Sequence, residues 1–529
     1  MGKEIGIDFG TTTTEVSYID KNGHSRAMKL EGGKDVIPTV LYFMSEDNWI
    51  IGKKASTMSR VHPEACVKNF KLYFTDPLKK YKVMAENGDE FVIKPIQAAQ
   101  YYLNSLIQII QPKLIKEFGE KEGTIDKAVI TAPALFDEFK RSAIKDALLK
   151  AGSKAGFSDI KIATEPTAAA VAYQEENCDD GETILVYDFG GGTFDVSIIQ
   201  KNGEIYSEVD TDGDPALGGN LLTEQLAEVL WVNCLDYVDR EYPFDEHEAD
   251  HYSEDDYDLE RLKFIRNRNA VFNAAEDIKI DFLEEDEINV QIPFFFDNES
   301  DPALVDVTMN IEEFNDIILS DVERTIEITK LVLRRAIESG KISKIDQVVL
   351  AGGSSQLRLI KDLLAEEKDL KDLVGNGEDS STLISRGAAK LASIELKVEE
   401  KTRFEIGTRV VKGTSLDEFE KIIDAGVQLP CTGEHTFYLN REGQEEVIIE
   451  YFEKDIKNYP NASSIDDEGI NLVGKLIISG IPKQEGLSLN VIFSIERDGT
   501  PTINAKIIDG NGDTVKADQL SVNKGGNLY

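Results

Sequence analysis

The sequence predicts an α/β protein whose two related lobes face one nucleotide, followed by an all-β domain. Three observations carry that expectation. The stretch from Ile184 to Ile199, ILVYDFGGGTFDVSII, is an apolar run ending in an aspartate, then a glycine triplet, then an alternating run leading away. That is a strand, a phosphate-sized loop and a second strand. The N-terminus repeats it as IGIDFGTTTTEVSYI from Ile5 to Ile19, with Asp8/Asp188, Phe9/Phe189, Gly10/Gly190, Thr13/Thr193, Val16/Val196, Ser17/Ser197 and Ile19/Ile199 shared and Glu15 opposite Asp195. Beyond Glu400, runs such as EEVIIEYFE, NLVGKLIISGI and LSLNVIFSIERDGTPTINAKII alternate apolar and polar residues with period two, as antiparallel strands do.

In the two hairpins, glycines let the backbone turn sharply and bring N–H groups close to an anion. Asp188 and Asp195 bracket the second loop with carboxylates, which repel a bare phosphate and suit a magnesium ion. KDVIPTVLYF (Lys34 to Phe43) reads as a short strand broken by Pro38. Gln97 to Glu117 carries Leu103, Leu106, Ile107, Ile110 and Leu114 at helical spacing. KAVITAPALF is a buried-type strand ending at Pro133, and a charged helix follows from Glu138 to Ala151. The strand DIKIAT runs into EPTAAAVAY (Glu165 to Tyr173), where Pro166 suits a first helical turn and the alanines permit close packing. Strands alternating with helices argue α/β layers. Asp236 to Asp258 is acidic and spotted with aromatics, and reads as a surface insertion. Helical pattern returns over Glu260 to Ala275 and Asp321 to Ser339. The chain then enters KIDQVVLAGGSSQL, a strand ending in a third glycine turn, and a last helix, LISRGAAKLASIEL, closes the region near Leu396. In the β domain Arg497-Asp498-Gly499 signals a hairpin turn, and Asn511 to Tyr529 reads as a polar tail.

The 529 residues and 41% apolar content describe a globular chain of about three or four domain-sized units. A net charge of −40 argues against sequence-independent binding of nucleic acid or of an anionic membrane, both of which need basic surface. Cys66, Cys178, Cys234 and Cys431 are far apart and form no CxxC pair, as expected of reduced thiols in a cytoplasmic protein. Met-Gly-Lys leads straight into a strand without a signal-peptide core, and no apolar run approaches the ~20 residues that span a bilayer. His247 and His251 complete an HExxH pattern, but solvated acidic neighbours are the wrong setting for a catalytic zinc.

No GxxxxGK[ST] loop occurs, so phosphate capture falls to hairpins rather than to a loop that opens a helix. With Asp8, Glu165, Asp188 and Asp195 these hairpins make a magnesium–nucleotide site. A carboxylate beyond the terminal phosphate orients the attacking water, and a lysine neutralises developing charge.

IDFGTTTTEVS, AVITAPALFDEFKRSAIKDA, IATEPTAAAVAY, VYDFGGGTFDVSI, GDPALGGNLL and VVLAGGSSQL resemble the corresponding stretches of the seventy-kilodalton heat-shock chaperones, the DnaK-type family. The resemblance covers residues 1 to about 510 and implies an actin-like ATPase, a two-lobed duplicated fold of ribonuclease-H type, over 1–393. A linker at 394–400, a peptide-binding β-sandwich at 401–510 and a tail at 511–529 would follow. Carried over residue by residue, Asp8, Gly10, Thr11, Thr12 and Thr13 belong to the first phosphate loop, and Gly190, Gly191, Gly192 and Thr193 to the second. Lys71 matches the catalytic lysine, with Lys68 as the alternative register; Glu165, Asp188, Thr193 and Asp195 complete the catalytic set. Asp8 and Asp188 would hold magnesium through water. Gly218, Gly219, Asn273, Gly352, Gly353 and Ser354 match the nucleoside side, Pro133 and Arg141 a pair that relays nucleotide state, and Val411, Phe437, Val447 and Ile449 the peptide groove.

Four features depart from the family pattern, the first being that the family's C-terminal helical lid is not expected after the β domain. Gln356 stands where an adenine-stacking arginine is usual, and Ser381 where an aspartate is. In the linker only Ile394, Leu396 and Val398 alternate. Glu446 replaces a small residue beside the groove, a bias against acidic peptides. The resemblance implies ATP or ADP with magnesium, potassium as a further candidate ion, an unfolded client polypeptide, and a J-domain protein (Lys161 lies in the matching region) and an exchange factor as partners. The expected function is an ATP-driven chaperone; the alternative is a nucleotide-binding scaffold of the same family with weak or no hydrolysis.

Overall fold

Two runs of strand residues buried on both faces form the centres of the first two lobes. β1 (Lys3–Phe9) and β2 (Thr13–Ile19) pair antiparallel, with Ile5, Ile7, Phe9 and Val16 fully buried. β3 (Ile125–Ala132) joins β1 in parallel, and β4 (Asp159–Thr164) joins β3. A parallel neighbour needs a crossover, and the helix Pro95–Phe118 lies in it, burying the stripe Leu103, Leu106, Ile107, Ile110 and Leu114. The computed structural model describes residues 2–521 except 75, 77, 137, 153–158, 177–180, 204, 239–253, 295–302, 372, 375–380, 394–396, 400, 413–414, 440–444, 457–458, 485 and 497–500. The HExxH pattern, Cys178, Ile394, Leu396 and the Arg497–Gly499 turn therefore lie outside the described residues.

The second lobe repeats the first. β5 (Thr183–Phe189) and β6 (Phe194–Asn202) form an antiparallel hairpin in the register of β1 and β2, so Asp188 faces Asp195 as Asp8 faces Glu15. β7 (Gln347–Ala351) runs parallel to β5, as β3 does to β1. The duplication thus extends from residue identities to strand pairing. Helices α1 (Glu165–Glu176) and α5 (Leu383–Ser393) pack against each other in the first lobe. Gly387 permits it: a Cβ there would lie 1.7 Å from the Ala168 carbonyl oxygen. The second lobe is covered by α2 (Gly219–Val238), α3 (Glu254–Asp281) and α4 (Ile311–Glu338), which share one core with β5 and β6 through Tyr187, Phe194, Leu226, Ile278 and Phe314. The helices α3 and α4 are longer than their periodic cores suggested. The N-terminus of α4 is set by Asn310 and Glu313, which cap each other's backbone N–H groups.

These elements belong to one compact unit, residues 1–135, 147–204 and 209–396. A second unit comprises 136–146, 205–208 and 397–529. In it, Ser415–Ile423, Glu405–Lys412, Glu446–Lys454 and Ile470–Ser479 form one four-stranded antiparallel sheet in that order. Cys431–Tyr438, Ser488–Ile495, Pro501–Ile508 and Thr514–Ser521 form the other. Inward residues of both sheets, among them Ile406, Tyr451, Ile478, Phe493 and Ile503, share a core. The strand Thr514–Ser521 corrects the expected boundary at 510. Its described side chains, Val515 among them, are largely exposed, so it reads as a tail, while its backbone completes the ladder on Pro501–Ile508. In the expected linker, Lys397–Glu399, which contains Val398, pairs in parallel with Ile205–Ser207 of the same unit. Among the described residues no helix is long and apolar enough to cross a membrane.

Candidate functional site

Three glycine turns, Gly10–Thr13 after β1, Gly190–Thr193 after β5 and Gly352–Gly353 after β7, converge on a cavity of about 240 Å³. Their closeness explains the glycines. A Cβ on Gly191 would lie 2.1 Å from Thr12 Oγ1, and one on Gly192 would lie 2.6 Å from Thr11 Oγ1. Gly352 has φ +79° and leaves no room for a side chain, since a Cβ would stand 2.5 Å from the Phe189 carbonyl oxygen. The carbonyls of Gly190 and Gly191 accept the N–H groups of Gly219 and Asn220 at the start of α2, at 2.9 and 2.7 Å, and Ser354 Oγ donates to Gly190 at 3.0 Å. The Gly190 and Gly191 carbonyls are thus occupied by protein and the Gly190 N–H closes the turn onto the Thr193 carbonyl at 3.2 Å, which leaves the N–H groups further along the loop for an anion.

Lys71 sits on the tight turn Phe70–Tyr73 and is 1% exposed. Its Nζ donates to Glu165 at 2.9 Å and to the Phe9 carbonyl. Lys68 lies elsewhere, beside Cys66, Arg60 and Glu276, with its pKa lowered by burial. The structure thus places Lys71, not Lys68, in the cavity. Glu165 arrives from the first turn of α1 and Pro133 from the end of β3; both line the cavity with Asp8 and Asp188. Asp8 accepts a 3.1 Å hydrogen bond from Thr131. Burial, then repulsion from Glu165, pushes its pKa up to about 7 against the pull of Lys71 and Thr131. Burial first, and then Glu165, Asp195 and Asp8, holds Asp188 well above the usual carboxylate range.

Asp188 Oδ2 is buried without a hydrogen-bond partner, an arrangement that a cation satisfies. Among the described residues no three His, Cys, Asp or Glu side chains gather closely enough to grip a bare metal ion. The unpartnered Asp188 oxygen, in a cavity also lined by Asp8, suits a magnesium ion that keeps most of its waters and is shared with phosphate. Asp195 does not line the cavity; it stands opposite Asp188 and accepts the Leu135 N–H at 3.0 Å. Gly218, Gly219 and Ser354 stand behind the second loop rather than on the cavity wall. Arg141 is buried on the helix Glu138–Gly152 and is not part of the wall.

Two groups escaped sequence reasoning. Glu15, 6% exposed, adds a fourth carboxylate to the wall; its alignment with Asp195 in the repeated hairpin was the available signal. Helix α3 also brings Lys279 to the start of α2, where its Nζ reaches the Gly219 carbonyl, Thr223 Oγ1 and Glu276 at 2.9, 2.7 and 2.6 Å. Asn273 does not line the cavity. Ser381 does, while Gln356 ends the short turn Gly353–Gln356. Of the four groove candidates, Val411 is 56% exposed and Phe437 is partly buried at the margin of the sandwich core, whereas Val447 and Ile449 lie within that core. In the comparison with known protein families, the model described as Hsp70 protein matches residues 4–527 of the chain.

Proposed function

The chain belongs to the Hsp70 family, whose members are in general ATP-binding chaperones, and on that premise we propose that its first unit hydrolyses ATP slowly and thereby sets how firmly the β domain holds an extended polypeptide. The observation that carries this reading is the buried Lys71–Glu165 pair, aimed with Asp8 and Asp188 into a cavity walled by glycine loops. The loops hold the phosphates through backbone N–H groups and the hydroxyls of Thr11, Thr12, Thr13 and Thr193. Lys71 stabilises the charge that develops on the transferred phosphoryl group. Glu165 orients Lys71 and, with Asp8 and Asp188, holds the attacking water and receives its proton. Asp8 and Asp188 would hold magnesium, which when bound neutralises the phosphate oxygens. Asp195 acts indirectly, through Asp188.

In the β domain, Val411 and Phe437 offer apolar surface to a polypeptide as they stand, while Val447 and Ile449 become accessible only as the sandwich margin opens. Glu446, exposed at the start of its strand, favours neutral or basic segments. Pro133 and Arg141 carry the nucleotide state to the β domain. A J-domain protein, which would meet exposed Lys161, and an exchange factor complete the expected cycle in the cytoplasm.

The test is single-turnover ATP hydrolysis with and without an extended apolar peptide, beside Lys71→Ala. Magnesium-dependent turnover that the peptide accelerates and Lys71→Ala removes is expected. Ser381 at the wall and Gln356 at the end of the Gly353 turn favour a second reading, a nucleotide-binding scaffold; tight ATP binding without turnover would establish that one.

A further inference from the structure

Asn220 joins three segments that are remote in sequence. It occupies the first turn of α2, where its backbone N–H donates to the Gly191 carbonyl of the second loop. Its side-chain Oδ1 accepts from Thr12 Oγ1 of the first loop at 3.4 Å. Its Nδ2 donates to Asn69 Oδ1 at 3.3 Å. Asn69 immediately precedes the turn that carries Lys71 and, among the described residues, is the one non-glycine residue with positive φ, at +56°. Asparagine tolerates that left-handed conformation better than other side chains, and a side-chain hydrogen bond helps to hold it. The backbone conformation of Asn69 directs the next turn, and with it the path of Lys71 toward Glu165 and Phe9.

We propose that Asn220 is a positioning residue: through Asn69 it holds the Lys71 turn, and through Thr12 the first loop, in register with the second loop. The proposal rests on reading the cavity as a phosphate site. Neither asparagine lines the cavity, so both act on the reaction only through Lys71 and the loops. A lysine displaced by an ångström loses much of its effect on a transition state while ground-state binding changes little. The signature is therefore a fall in kcat at nearly constant KM.

The experiment compares Asn220→Ala, Asn220→Asp and Asn69→Gly with the double variant Asn69→Gly/Asn220→Ala in the full chain. Asn69→Gly removes the side chain but keeps the left-handed backbone accessible. Asn220→Asp keeps an acceptor for Thr12 but sets an oxygen against Asn69 Oδ1. Each is expected to lower kcat about tenfold with KM within about threefold, and the double variant about tenfold rather than a hundredfold, because the two side chains act as one device. A second readout needs no turnover. Lysine acylation, followed residue by residue by mass spectrometry in nucleotide-free protein, should modify Lys71 about tenfold faster in each variant while exposed Lys344 is unchanged. Wild-type turnover in Asn220→Ala, multiplicative losses in the double variant, or unchanged Lys71 labelling would each overturn the proposal. If the wild-type chain hydrolyses no ATP, the ATPase reading fails, and the labelling comparison still decides this one.

Discussion

Lys71 and Asp8 show how much chemistry one buried side chain controls. Lys71 is the ammonium paired with Glu165 inside a wall that also carries Asp8, Glu15 and Asp188. Lys71→Ala should lower single-turnover hydrolysis by about a hundredfold or more, as removal of a preorganised charge donor does, while nucleotide still protects the chain in thermal melts. Asp8 makes a separate prediction from its raised pKa. Between the ordinary aspartate value of 3.8 and about 7, the folded chain binds a proton that the unfolded chain has released. Stability of the nucleotide-free protein should therefore fall as pH rises through that window and level off above it. Urea midpoints in chelator between about pH 5 and about pH 7.5 would show the slope, and Asp8→Asn should flatten it. Asp188 and Glu15, also raised by burial and neighbouring carboxylates, act in the same direction.

Among the elements, contact between α1 and α5 depends on a residue with no side chain. The Cβ of Gly387→Ala would enter the Ala168 backbone at 1.7 Å, and backbone cannot rotate aside as a side-chain end does. The substitution should cost about 3 kcal/mol or more, seen as a lower melting temperature or loss of soluble protein. The paired hairpins were legible because a two-residue period, a terminal aspartate and a glycine turn are all local features. The strand Thr514–Ser521 was not legible: TVKADQLS has no apolar face, and only pairing with Pro501–Ile508 makes it a strand. Helix α3 concealed Lys279 for a related reason. A helix offers several faces, and which of its polar residues meets the start of α2 follows from how the whole cylinder is rotated against it.

At the scale of the molecule, each of the two units has a core of its own, one around Phe194, Leu226 and Phe314 and the other around Tyr451, Phe493 and Ile503. Separate cores predict separable unfolding. Phe493→Ala should lower the β-domain transition by about 3–5 kcal/mol of stability while leaving the other transition in place, and magnesium–ATP should raise only the latter. Differential scanning calorimetry of the full chain checks both; a single transition displaced by either change would refute the separation. The net charge of −40 acts over the whole surface and predicts no retention on duplex DNA even at low salt.

Local chemistry in the sequence determined the duplicated hairpins, the glycine loops, the carboxylates that follow strands, and the change to period-two patterning beyond Glu400. Each of these is written within a few neighbouring residues, where backbone freedom and side-chain alternation suffice to read it. Tertiary structure alone decided which of two lysines meets Glu165, that Glu15 completes the carboxylate wall, that Lys279 meets the start of α2, that Asn220 ties three segments together, and that Val447 and Ile449 belong to a core. Those outcomes depend on distances between residues as much as 208 positions apart, as for Thr12 and Asn220. Such distances are set by the packing of strands and helices into layers, which no local pattern encodes.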